Sequence, residues 1–149
     1  VTDISFYHLQ RRSLEETLPK LLERVIASKQ RAVVLAESEE QVEAISSRLW
    51  TYDADSFLPH GSARDGFPAQ QPIYLTSGEE NPNGATILVL IDGRLPGFLS
   101  GFARCLDLFN GHDPESVQGA RERWRAYKAG GHPVTYWQQN DDGRWEKKA

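Results

Sequence analysis

Between residues 119 and 132 the chain reads GARERWRAYKAGGH. Arg121, Arg123, Arg125 and Lys128 stand there against the single acid Glu122, in a protein whose formal net charge is −4 at pH 7. At about 100° per residue, a helix through this stretch collects Val117, Arg121, Trp124, Arg125 and Lys128 on one stripe, an indole ring set among cations. Guanidinium groups grip carboxylates and phosphates through paired N–H donors, and tryptophan offers a broad apolar face. Two ligand classes match this combination. Single-stranded nucleic acid would use phosphate contacts and base stacking. An acidic peptide ending in an aromatic residue would offer its free carboxylate to an arginine and its ring to Trp124. The acidic remainder of the chain weighs against a broad DNA surface, which normally comes with a basic domain. The bland alternative is a solvated helix face whose cations are drawn toward the C-terminal end by the helix dipole; it accounts for the charge but gives the tryptophan no task.

The elements that must carry this stripe are readable in outline. ISFYHL (4–9) alternates as a strand, and Ser13 with Glu16 has capping-box spacing. Leu18, Leu21, Leu22, Val25 and Ile26 form one helical face running to about Lys29, and Pro19, which belongs in a first turn, places the helix start near Thr17. AVVLA (32–36) is a buried strand, and Ser38 with Gln41 opens a second helix bearing Val42, Ile45 and Leu49. A long connection, 51–71, rich in Asp, Gly and Pro, follows. The runs 73–76 and 85–91 are joined by SGEENPNG, too short for a crossover helix, so an antiparallel pair is expected. RCLDLF (104–109) is another strand. Asp113-Pro114-Glu115 starts the last helix, Gly130-Gly131 stops it, and residues from about 133 to 149 form a hairpin or tail. The expected architecture is one α/β domain spanning 1–149, an open, twisted, mixed and mostly parallel sheet with helices on its faces.

Composition and motifs exclude much. With 39% hydrophobic and 26% charged residues the chain has globular composition. The longest apolar run, ILVLI (87–91), is far short of the roughly 18 residues of a membrane span, and no signal segment opens the sequence; a cytoplasmic protein is expected. Neither early strand-to-helix turn, LQRRS or AESEE, has the glycines that bring backbone amides to a phosphate. Asp92, at the end of ILVLID, reads as a turn residue in the absence of any Gly-Lys-Ser/Thr loop. His8, His60, His112 and His132 are scattered without metal-ligand spacing, Ser100 lacks a nucleophile-elbow context, and Cys105 lies in an apolar strand as a structural thiol. No catalytic site, metal or cofactor is expected.

A second cluster, LWTYDADSFLPHG (49–61), gathers Trp50, Tyr52, Phe57, Leu58 and Pro59 at a helix end and loop, where core filling and partner docking are both open. Taken in order, SFYHL, LWTYDADSFLPHG and ARERWRAYKAGGH resemble the chi subunit of bacterial DNA polymerase III holoenzyme along nearly the whole chain. The resemblance implies a nucleotide-binding-like α/β fold without a phosphate loop, serving as a non-catalytic accessory protein associated with the clamp loader. It implies two partners: the acidic, phenylalanine-ended C-terminal tail of single-stranded DNA-binding protein, and a psi subunit. Carried over, the tail-binding residues are Arg121, Trp124 and Arg125, where the family commonly has tyrosine at the second position and lysine at the third; Val117 and Lys128 extend the site along the stripe. The psi-facing residues are Trp50 and Phe57 with Leu58 and Pro59 beside them. The C-terminal QQNDDGRWEKKA extends beyond shorter family members, and Trp145 has no counterpart role.

Overall fold

The computed structural model describes residues 2–10, 12–52, 58–91, 93–142 and 144–148. Strand β1 (Asp3–Leu9) leads to helix α1 (Leu14–Ala27), β2 (Ala32–Leu35) to α2 (Glu39–Thr51), and β6 (Arg104–Asn110) to α3 (Pro114–Ala129). Between them lie β3 (Gly61–Ser62), β4 (Ile73–Thr76) and β5 (Ile87–Leu90); β7 (Val134–Gln139) and β8 (Trp145–Lys147) close the chain. One sheet holds all eight strands in the order β3-β4-β2-β5-β6-β1-β7-β8. Every pairing is parallel except β7 with β8, which form the antiparallel C-terminal hairpin. Helices α1 and α2 bury Leu18, Leu22, Val42 and Ile45 against one face, on Val34, Val89 and Leu106. On the other face Ala120 and Tyr127 of α3 pack on Phe6, Leu88 and Phe109. The mixed α/β architecture with helices on both faces is as the sequence indicates.

Two local expectations are corrected. The runs at 73–76 and 85–91 do not pair with each other: β4 and β5 flank β2, each parallel to it. The connection 77–86 can reach on the order of 30 Å when extended, well beyond the roughly 13 Å length of a four-residue strand. It therefore returns along the sheet without a helix. Its turn is tied down by Asn83, whose Nδ2 donates to the carbonyls of Ala32 (3.2 Å) and Gln71 (2.8 Å). Helix α1, in turn, begins at Leu14 rather than near Thr17: the Ser13 hydroxyl accepts from the Glu16 amide at 3.3 Å, completing a capping box. Pro19 is thus inside the helix, where its missing N–H leaves the Glu15 carbonyl without its usual donor. Arg48 of α2 supplies one, Nε to Glu15 O at 3.2 Å, so a neighbouring helix repairs the gap. The helix also ends at Ala27, before Lys29, which takes a left-handed φ of 61°. The short β3 and two 3-10 turns, Ala63–Asp65 and Pro68–Gln70, occupy the connection that reads as loop.

Strand alternation sends Cys105, Asp107 and Phe109 of β6 toward α3. Asp107 is fully buried, and Arg123 meets it from the helix with Nε to Oδ2 at 2.7 Å and Nη2 to Oδ1 at 3.0 Å. The remaining guanidinium nitrogen, Nη1, donates to the Gly93 carbonyl at 2.8 Å. Removing one member of such a pair strands a buried charge. Arg123→Ala is expected to cost about 3–5 kcal/mol in denaturant unfolding, whereas Arg121→Ala and Arg125→Ala, at exposed positions two residues either side, change stability by less than about 0.5 kcal/mol.

Candidate functional site

Helix α3 carries the stripe because its ends are firmly set. Asp113 caps the start, accepting from the Glu115 amide at 3.2 Å and the Ser116 hydroxyl at 2.8 Å, with Pro114 at the first helical position. Gly131, at φ 82°, ends it with its amide on the Lys128 carbonyl. Ala120, Arg123 and Tyr127 form the buried side. Turned away from it, Arg121, Arg125 and Lys128 are exposed, while Val117 and Trp124 are half-buried.

Four of these stripe residues meet in a cleft of about 370 Å³, lined by Phe109, Val117, Ala120, Arg121, Trp124, Arg125 and Tyr136. Trp124 is a wall of the cleft, not the exposed ring that the helical stripe suggests: its centroid lies 5.7 Å from Phe6 and 6.0 Å from Tyr136, the latter edge to face. Lys128 is outside the lining, with Nζ 5.0 Å from the Trp124 ring centroid, a cation on the face of the indole. The lining is thus mostly rings and aliphatic carbon, and Arg121 and Arg125 join it from the exposed side of the helix. Burial raises the Tyr136 phenol above its ordinary pKa, with the nearby Arg121 charge working in the opposite direction. Arg123, which looks in sequence like a fourth member of the cationic group, is withdrawn into its pair with Asp107. Phe109 and Tyr136 escape a reading of the helix alone because β6 and β7 bring them to it; the only local signal is their place in alternating strand segments.

A larger cleft, about 1080 Å³, opens at the carboxyl ends of β1 and β6 and the start of α1 and α3. In α/β folds this is where phosphates commonly bind. Here five acids, Glu15, Glu16, Glu37, Asp113 and Glu115, line it against two arginines, Arg12 and Arg123, the latter engaged by Asp107. Carboxylates repel phosphate, so the smaller cleft is the better anion site despite its size. Among the described residues no group of three or more His, Cys, Asp or Glu could hold a metal ion. Also among them, no helix is long and apolar enough to cross a membrane. Cys105 is buried, and burial pushes its thiol pKa well up, so it is held as the unreactive thiol.

The second sequence cluster is separate, on α2 and its exit, and the structure divides it. Trp50 is 53% exposed, its ring 4.5 Å from that of His60. Pro59 is half-buried. Leu58 is 2% exposed and belongs to the core under α1 and α2, which corrects its reading as a surface neighbour: it follows the chain inward to pack. Phe57 and Asp92 lie outside the described residues.

Three of the histidines serve backbone groups. His60 Nδ1 lies 2.7 Å from the Leu58 carbonyl, His112 Nε2 contacts that of Gln10, and His132 Nδ1 accepts from the Thr2 amide at 3.1 Å. His8 instead pairs its Nδ1 with the Tyr136 hydroxyl. Its pKa is lowered chiefly by burial and further by His112, against a contribution from the Gly111 backbone that raises it.

Comparison with known proteins places these residues in a sequence family. The family model described as DNA polymerase III chi subunit, HolC, matches residues 1–135, which include all of α3 and stop one residue before Tyr136. Over 87 residues the chain is 39% identical to a protein of Rickettsia prowazekii named probable DNA polymerase III subunit chi, an alignment covering 58% of this chain and 53% of that protein. The DNA polymerase III subunit chi of Pseudomonas aeruginosa is 31% identical over 96 residues, covering 64% of this chain and 66% of the relative. That of Escherichia coli K12 is 28% identical over 105 residues, 70% and 71% of the two chains. The chain therefore spans about half the length of the Rickettsia relative and just under two thirds of the Pseudomonas one.

The lowered pKa of His8 has a pH signature. Its folded pKa lies below the unfolded value, so the unfolded chain binds the proton first; the contribution is fully present above the unfolded pKa, about 6.5, and is lost as pH falls from there toward the folded value. Thermal unfolding between pH 7.5 and 5 should show stability falling with acid, and His8→Asn should flatten that part of the profile.

Proposed function

As the chain belongs to the DNA polymerase III chi subunit family, we propose that it is a non-catalytic accessory subunit of that polymerase which binds the acidic, phenylalanine-ended tail of single-stranded DNA-binding protein in the cleft beside α3. The observation that carries this reading is the composition of one small cleft: Phe109, Val117, Ala120, Trp124 and Tyr136 share its lining with Arg121 and Arg125. A volume of about 370 Å³ is in the range of pre-formed small-ligand sites. A peptide's terminal aromatic ring packs against the apolar wall that Trp124 and Tyr136 form together, while its carboxylate and preceding acids meet the arginines. Lys128 on the indole face adds positive potential without filling the cleft. Nucleic acid has a weaker claim on the same residues, because the chain's formal net charge is −4, whereas broad nucleic-acid surfaces normally come with a basic domain.

The same reading assigns a psi-type subunit, and through it the clamp loader, to the other side of the molecule. Among the described residues of that cluster, Trp50 is exposed and Pro59 half-buried, at the exit of α2, on the helical layer opposite α3. The two partners would then be bound by different layers of one sheet, so that neither occludes the other.

Titration of a fluorescent peptide copying the tail tests the proposal. Arg121→Ala and Trp124→Ala should each weaken binding about tenfold or more, affinity should fall with added salt, and deleting the terminal phenylalanine should have a comparable effect. Equal binding of the truncated peptide would refute the cleft as its seat. Tight, steeply salt-dependent binding of oligonucleotides by the isolated protein would instead favour direct nucleic-acid recognition.

A further inference from the structure

The amino-terminal segment SFYHL is prominent in the sequence, yet none of its side chains lines the cleft. His8 nonetheless touches two residues that do. Its ring lies 5.0 Å from Phe109 and 5.9 Å, edge to face, from Tyr136, and its Nδ1 is hydrogen-bonded to the Tyr136 hydroxyl. The histidine itself is seated against backbone: a side chain at Gly111 would collide with the imidazole and with the Leu9 carbonyl. Tyr136 is therefore held at both ends, its ring against Trp124 at 6.0 Å and its hydroxyl on a residue outside the cleft.

We propose that His8 is a positioning residue for peptide binding: by taking the Tyr136 hydroxyl out of the cleft, it makes the tyrosine ring a fixed apolar wall against which the peptide's aromatic end packs. The proposal rests on the tail-binding reading and deepens it. Its physical basis is the cost of leaving a part-buried hydroxyl without its protein partner. Without His8 the phenol must turn toward water or into the cleft to find a partner, and either movement changes the wall. Asparagine can restore a polar atom near the position of Nδ1, whereas leucine fills the space without pairing.

The test uses His8→Leu, His8→Asn and Tyr136→Phe, with an oligo-aspartate peptide ending in phenylalanine and a free carboxylate as probe. His8→Leu should weaken peptide binding by about fivefold or more, His8→Asn should recover most of it, and in the Tyr136→Phe background His8→Leu should cause no further loss, since no hydroxyl remains to be stranded. That double variant also serves as the folded control. Read without peptide, nuclear Overhauser contacts between the Tyr136 and Trp124 rings should persist in wild type and His8→Asn and disappear in His8→Leu. The proposal is overturned if His8→Leu keeps those contacts, or if it weakens binding equally with Phe at 136. Should wild type ignore the peptide while the ring contacts still respond to His8, the tail-binding reading fails and the peptide role with it, and only the anchoring of Tyr136 by His8 stands.

Discussion

The buried pair of Arg123 with Asp107 is the constraint on which the candidate site depends. A helix on a sheet can rotate about its axis at modest cost as long as apolar groups replace one another. A bidentate ion pair cannot slide in this way, because both carboxylate oxygens are committed to one guanidinium and a third donor is spent on the Gly93 carbonyl. With Arg123 fixed inward, the advance of about 100° per residue places Trp124 at the boundary of the buried face and Arg121 and Arg125 beyond it. Cleft geometry thus follows from an interaction that takes no part in the proposed binding. Such a pair adds little net stability compared with apolar packing, and its evident use here is to set orientation.

Much of this was legible in the residues. The caps at Ser13, Ser38 and Asp113 have the hydroxyl or carboxylate and spacing that helix starts require, and all are used. The stripe on α3 was readable because helical periodicity is local. What escaped was non-local. Four cations in one helix look alike until the strand opposite is known, although an acid in the middle of RCLDLF was a clue that one of them is needed inside. The order of β4, β2 and β5 depends on which strand fills the space between two others, and a short connection does not reveal that. Pro19 could be tolerated deep in α1 because Arg48, far away in sequence, reaches the freed carbonyl.

Charge is distributed with a similar division of labour. Several of the acids cap helices, line the larger cleft or pair with Arg123, while Arg121, Arg125 and Lys128 of α3 are exposed. A locally positive cleft on an acidic body restricts electrostatic attraction to a small target. Such an arrangement is in keeping with the compact acidic ligand proposed for the cleft.

The two margins of the sheet differ from its centre. At one margin β3 is only two residues long; at the other β8 is a three-residue strand with Glu146 and Lys147 following Trp145, whose ring is folded back onto Tyr7. Among the described residues, both margins thus present only short runs of main-chain amides and carbonyls to a further strand. Edges this short discourage growth of the sheet by strand addition and leave side-chain surfaces as the favoured places for contact with other molecules.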